Sequence, residues 1–97
     1  MSVDDPAAEK ARAELYANAI ERFLSDNKVP NPQRIVEPGC GMGSLLSRLA
    51  HGWGCDAALG VEPSQQLADI AREQVNNTTE VWQGFAEDIA DTHKGRF

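Results

Sequence analysis

The stretch Arg34-Ile35-Val36-Glu37-Pro38-Gly39-Cys40-Gly41-Met42-Gly43 decides how the rest of the chain is read. Its first four residues are a short β-prone run that stops at Pro38-Gly39. After the glycines, Leu45, Leu46, Leu49 and Ala50 form a helical stripe that ends near Gly52. A glycine turn between a strand and a helix lets a ligand approach the backbone, because amides converge at the helix N-terminus. Many nucleotide folds share such a turn, so its spacing matters. Here it is G-x-G-x-G. The dinucleotide fingerprint G-x-G-x-x-G would place a glycine or alanine where this chain has Ser44. Glu37 stands at the mouth of the turn, where its charge would repel a pyrophosphate in a partly desolvated cleft and would suit a positively charged ligand.

Upstream, Asp5-Pro6 is a helix start, with an acceptor at the N-cap and proline at the first helical position. Ala8, Ala11, Leu15, Ala19 and Phe23 recur at spacings of three and four, and Tyr16, Ile20 and Leu24 widen that stripe. The spacing predicts a helix from about Pro6 to Asp26 with these residues, Tyr16 among them, facing the core. Pro30 and Pro32 mark an extended linker. Downstream, Ala57 to Val61 is a second apolar run, bounded by Asp56 and by Glu62-Pro63. Ser64 caps a third helix whose inner side is Leu67, Ile70, Ala71 and Val75, ending at Asn76-Asn77. Glu80 to Gln83 is a third strand, with a helical turn at Glu87 to Ala90 and a polar tail, His93 to Phe97. Alternation of this kind predicts an α/β fold: a Rossmann-like three-layer βαβ unit with parallel strands, preceded by a helix.

Composition narrows the function classes. At 41% hydrophobic and 25% charged, the 97 residues suit one small folded domain rather than a disordered chain. The net charge of −6, with no basic cluster, leaves no footprint for a nucleic-acid backbone or an anionic membrane. Cys40 and Cys55 form no CxxC pair and sit among small or apolar neighbours, as buried free thiols do. No secretory signal is evident and no apolar run reaches the ~20 residues of a membrane span, so the default expectation is a reducing, cytoplasmic compartment. Neither His51 nor His93 has partners at metal-ligand spacing, and no metal site is expected. Trp82 reads as a strand side chain packed on the sheet and Trp53 as a loop residue near a turn.

Glu62, at the end of the second strand, can accept hydrogen bonds from both hydroxyls of a ribose. A cleft with acids at both places suits S-adenosylmethionine, which carries a sulfonium, an ammonium and no phosphate. The run from Arg34 to Gly43 resembles motif I of class I S-adenosylmethionine-dependent methyltransferases. Gly60-Val61-Glu62-Pro63-Ser64 resembles the motif at the end of their second strand, and Gln83-Gly84-Phe85-Ala86-Glu87-Asp88 resembles their third-strand motif, written G-D-A-E-x-L. The helix containing Tyr16 is similar to the extra helix that precedes motif I and that can lid the cofactor.

The resemblance implies a cofactor-binding set of Glu37, Gly39, Cys40, Gly41, Gly43, Glu62, Pro63, Phe85, Ala86 and Glu87. Gly39 and Gly41 would approach the methionine end, Glu37 would orient its amino group, and Glu62 would take the ribose hydroxyls. Pro63 would pack on the adenine and Ala86 would offer backbone contact at its edge. Phe85 stands where relatives carry an acid, so Glu87 or Asp88 would have to read the adenine amino group. The resemblance further implies residues 1–28 as an N-terminal helix and 29–97 as part of a methyltransferase domain, its first three strands. The free edge of the first strand would then invite self-association or a complementing half, and the isolated chain would be inactive. The residues assign no methyl acceptor and no catalytic base. Two other classes stay open: a NAD-binding oxidoreductase fragment and a non-catalytic cofactor-binding or interaction module.

Overall fold

The computed structural model describes residues 5–89. Its elements run α1 (Pro6–Asp26), β1 (Arg34–Pro38), α2 (Ser44–Gly52), β2 (Ala57–Glu62), α3 (Gln65–Gln74) and β3 (Thr79–Gln83), then a 3-10 turn at Ala86–Asp88. The expected helical turn at 87–90 thus begins at Ala86, while Ala90 and the tail from His93 to Phe97 lie outside the described residues. The cap at Asp5 is as expected: its side chain accepts hydrogen bonds from the amides of Ala7 and Ala8.

The three strands are parallel in the order β1-β2-β3. Their sequences explain why β2 is central. A parallel strand buried on both faces reads as a continuous apolar run, and Ala58, Leu59 and Val61 are all almost wholly buried. The register places Pro38 beside Val61 and Glu62 beside Gln83, so all three strands deliver their C-terminal ends to one end of the sheet. That end is where open α/β sheets bind ligands. Among the described residues β1 pairs with β2 alone, and its other edge is open.

The helix faces differ from the periodicity reading. In α1 the residues turned inward are Ala13 and Ala17, flanked by Glu9, Glu21 and Leu24, whereas Leu15, Tyr16 and Phe23 are exposed, at 70%, 58% and 65%. The cause is close approach and polar clamping. Two alanines let α1 sit tightly on α2, and its acids grip α2 from either side. Arg48 pairs with Glu14 and Glu21, each at 3.0 Å, and the Ser44 hydroxyl donates to Glu9. Trp53 lies at the turn after α2, as expected. It closes α2 as its C-cap and is buried in the core, its Nε1 donating to Glu21 at 3.0 Å. In α3 the deepest residues are Ala68 and Ala71, with Leu67, Ile70 and Val75 half-buried beside them. Small residues recur wherever helices press closest. The shared core joins Ala17, Leu46, Leu49, Trp53, Ala58 and Ala71.

This packing predicts a reversal of the periodicity rule in α1. Ala17→Leu should cost about 1–3 kcal/mol through overpacking, while Leu15→Gln should stay within about 0.5 kcal/mol as an exposed change. Urea unfolding of both variants checks it, and a larger loss at Leu15 would contradict the packing described.

Candidate cofactor site

The glycine loop is pinned to β2 by backbone before any side chain is considered. The amides of Gly39 and Cys40 both donate to the Val61 carbonyl, at 2.6 and 3.3 Å. The Glu62 side chain adds the third fastening. Its Oε1 accepts from the Gly41 amide at 2.9 Å and its Oε2 from the Ser64 amide at 2.8 Å, so one buried carboxylate joins the loop to the start of α3. Ser64 then caps α3 by accepting from the Leu67 amide. The loop turns through left-handed backbone at Gly39, Gly41 and Gly43. At Gly43 the requirement is double, since a Cβ there would also sit 3.0 Å from that of Ala71. Gly60 on β2 completes the fit, because a Cβ at that position would lie 2.7 Å from both Cys40 Sγ and Leu46.

Above the loop lies a cavity of about 220 Å³, lined among others by Glu37, Gly39 and Gly41 and, from α1, by Glu9, Arg12 and Tyr16. Glu37 Oε1 is buried with no hydrogen-bond partner. Burial chiefly, with the nearby negative charge of Glu9, pushes the Glu37 carboxyl up from its ordinary 4.5 to about 7, against a smaller lowering by the Leu46 amide. Such an acid is ready to receive a cation. Cys40 is a different case. Burial first, then the charges of Glu37, Glu62 and Glu9, push its thiol up to about 12. A thiol held protonated is a packing group and a poor nucleophile.

The other sequence-derived candidates divide by position. Glu37, Gly39, Cys40 and Gly41 share the cavity. Gly43 N-caps α2 and packs on α3, outside the cavity. Pro63, Phe85, Ala86 and Glu87 are exposed, beyond the ends of β2 and β3. Two hydrogen bonds hold those ends together, from Gln83 Nε2 to the Pro63 carbonyl at 2.9 Å and from the Gly84 amide to the Glu62 carbonyl at 3.0 Å. Glu9, Arg12 and Leu45 also line the cavity and carry no motif that marks them. Ser44, visible only as a departure from the dinucleotide fingerprint, proves to be the residue that holds Glu9. Tyr16, expected inward, stands over the cavity instead, the place a lid would occupy.

No family model matches the chain, and no curated protein matches it. Solved structures do. The plantazolicin methyltransferase BamL, solved with SAH and a triazolic desmethylPZN analog, superposes over 93% of this chain and 33% of its own, with a TM-score of 0.65 and 19% identity. A protein of Anabaena variabilis described as a methyltransferase from an antibiotic biosynthesis pathway matches 77% of this chain and 28% of its own, with a TM-score of 0.55 and 31% identity. The fold is that of the class I, Rossmann-like methyltransferases. YjhP from E. coli matches as well, over 70% of this chain and 28% of its own, with a TM-score of 0.57 and 19% identity. The chain thus spans about a third or less of the proteins it resembles. Among the described residues of this methyltransferase-like unit, no helix is long and apolar enough to cross a membrane, and no cluster of three metal-ligating side chains occurs.

The buried Glu37 makes stability depend on pH in a stated direction. Its folded pKa of about 7 exceeds the ordinary 4.5, so the folded state holds the proton more tightly. Its contribution is complete below about 4.5 and is lost as pH rises through 7. Glu37→Gln should therefore stabilise the ligand-free chain by about 1–3 kcal/mol in mildly alkaline buffer and give no gain in acid. Urea titrations at the two extremes decide it. An equal gain at both would show that Glu37 is not protonated in the folded state.

Proposed function

We propose that this chain binds S-adenosylmethionine over the glycine loop, as the cofactor-holding part of a methyltransferase. The observation that carries the reading is that Glu37, whose Oε1 is buried without a partner, lines one cavity together with Gly39 and Gly41. Acids outnumber the cation Arg12 at this cavity, which disfavours a phosphate, whereas an ammonium would give Glu37 Oε1 a hydrogen-bond partner and neutralise a costly buried charge. The residues present therefore fit this cofactor better than a dinucleotide.

Glu37 would hold the amino group, and the loop backbone would leave room for the methionine end. Glu62 uses one lone pair of each oxygen on the loop and on α3, and a carboxylate has about four acceptor sites. The remaining sites would take the ribose hydroxyls. Pro63, with Phe85 and Ala86 on the neighbouring strand end, would flank the adenine, and Glu87 would accept from its amino group. The cofactor supplies the methyl group and a good leaving group. The chain's own part is to fix the donor, and transfer by direct displacement depends chiefly on such alignment. That the solved structure of BamL contains SAH supports the choice of ligand.

Isothermal titration separates this from the oxidoreductase reading. S-adenosylhomocysteine should bind and NAD should not. Glu62→Ala should weaken binding by at least about 2 kcal/mol, because it removes charge-assisted bonds and unpins the loop. Binding of NAD without a response to S-adenosylhomocysteine would overturn the proposal.

A further inference from the structure

Glu9 lies on α1, far in sequence from the glycine loop, and belongs to none of the motifs. Even so it lines the same cavity as Glu37. Its Oε2 accepts from the hydroxyl of Ser44, the first residue of α2, which anchors the carboxylate at the loop. Its Oε1 is the nearest atom to the space a side chain at Gly41 would enter, 3.8 Å away. Two carboxylates at one cavity, against one lining cation, Arg12, and with Glu37 Oε1 buried and unpartnered, make a costly arrangement for an empty protein. It becomes favourable when a positive group lies between them.

Resting on the cofactor reading above, we propose that α1 completes the site by supplying Glu9 as a second carboxylate, which with Glu37 receives the cationic end of the ligand. The chain thus recognises the ammonium through two acids from different elements, and α1 must be docked for tight binding. The groups around Glu37 set the proton balance. Glu9, Arg12 and Tyr16 line the cavity from α1, Cys40 and the Leu46 amide approach from the loop and α2, and Glu62 stands at the end of β2. Without ligand, burial and then Glu9 favour the protonated form of Glu37. An arriving ammonium favours the carboxylate form, and the displaced proton passes to solvent. Affinity should therefore rise with pH and level off once Glu37 is ionised in the free chain.

Glu9→Gln tests this with its hydrogen bond to Ser44 retained, and Glu14→Gln is the control. Glu14→Gln loses the same charge from the same helix outside the cavity, while its amide oxygen still accepts from Arg48, which Glu21 also holds, so α1 stays docked. Carboxyl NMR of the ligand-free chain should show the Glu37 midpoint near 7 and a fall toward the ordinary range in Glu9→Gln. S-adenosylhomocysteine should bind the unsubstituted chain up to about tenfold more tightly at about pH 8 than at about pH 6. At the higher pH, Glu9→Gln should bind about tenfold more weakly, the size of one charge-assisted hydrogen bond, and its pH dependence should persist but shift to lower pH, because burial still raises Glu37. Glu14→Gln should match the unsubstituted chain in both respects. An unmoved Glu37 midpoint, or equal effects from Glu9→Gln and Glu14→Gln, overturns the inference. Binding that ignores Glu9→Gln overturns it alone, while absence of binding by the unsubstituted chain overturns the cofactor reading as well.

Discussion

The carboxylate of Glu62 is the interaction on which the site depends. Three parallel strands end together, but a strand end does not by itself shape a loop. Glu62 does so by accepting from Gly41 on one side and Ser64 on the other, so the glycine turn, the end of β2 and the start of α3 move as one body. A buried carboxylate is tolerable because each oxygen has a backbone donor. Gly60 is the steric counterpart of this clamp. Only a residue without a side chain lets the loop, through Cys40, lie directly on β2.

Around that fixed loop acids outnumber bases: Glu9, Glu37 and Glu62 gather at the turn, with Arg12 on the cavity wall, and after burial their charges add to the raising of the Cys40 thiol. Helix N-termini ordinarily attract anions, and here the first turn of α2 is met by acids instead. On the proposed reading the sheet keeps the general binding position of α/β folds, while the acids at its loop favour a cationic ligand over a phosphate.

Much of this was legible in the sequence, and the reasons are physical. Prolines and glycines, with Asn76-Asn77 before β3, bound the strands, so the alternation of elements and the extent of α1 follow from local chemistry. The positions of Glu37 and Glu62 follow from the motif spacing. What periodicity could not show was the inward face of α1. A stripe of Leu15, Ile20 and Phe23 looks like a core, yet Ala13 and Ala17 win because two helices pack closer through small residues and Arg48 binds the flanking acids. Glu9 was invisible for the same reason: its role depends on that face. Trp53 was legible as a turn residue, but its burial was not, because its partner, Glu21, lies on another helix.

The most direct test is amide NMR of the nitrogen-labelled chain as S-adenosylhomocysteine is added. The account predicts the largest shifts at Gly39, Gly41 and Gly43, with smaller ones at Phe85 and Ala86 and little change at the C-terminal end of α3. Shifts confined to the groove between α1 and α3, around Lys10, Ile70 and Glu73, with the loop glycines unmoved, would contradict it.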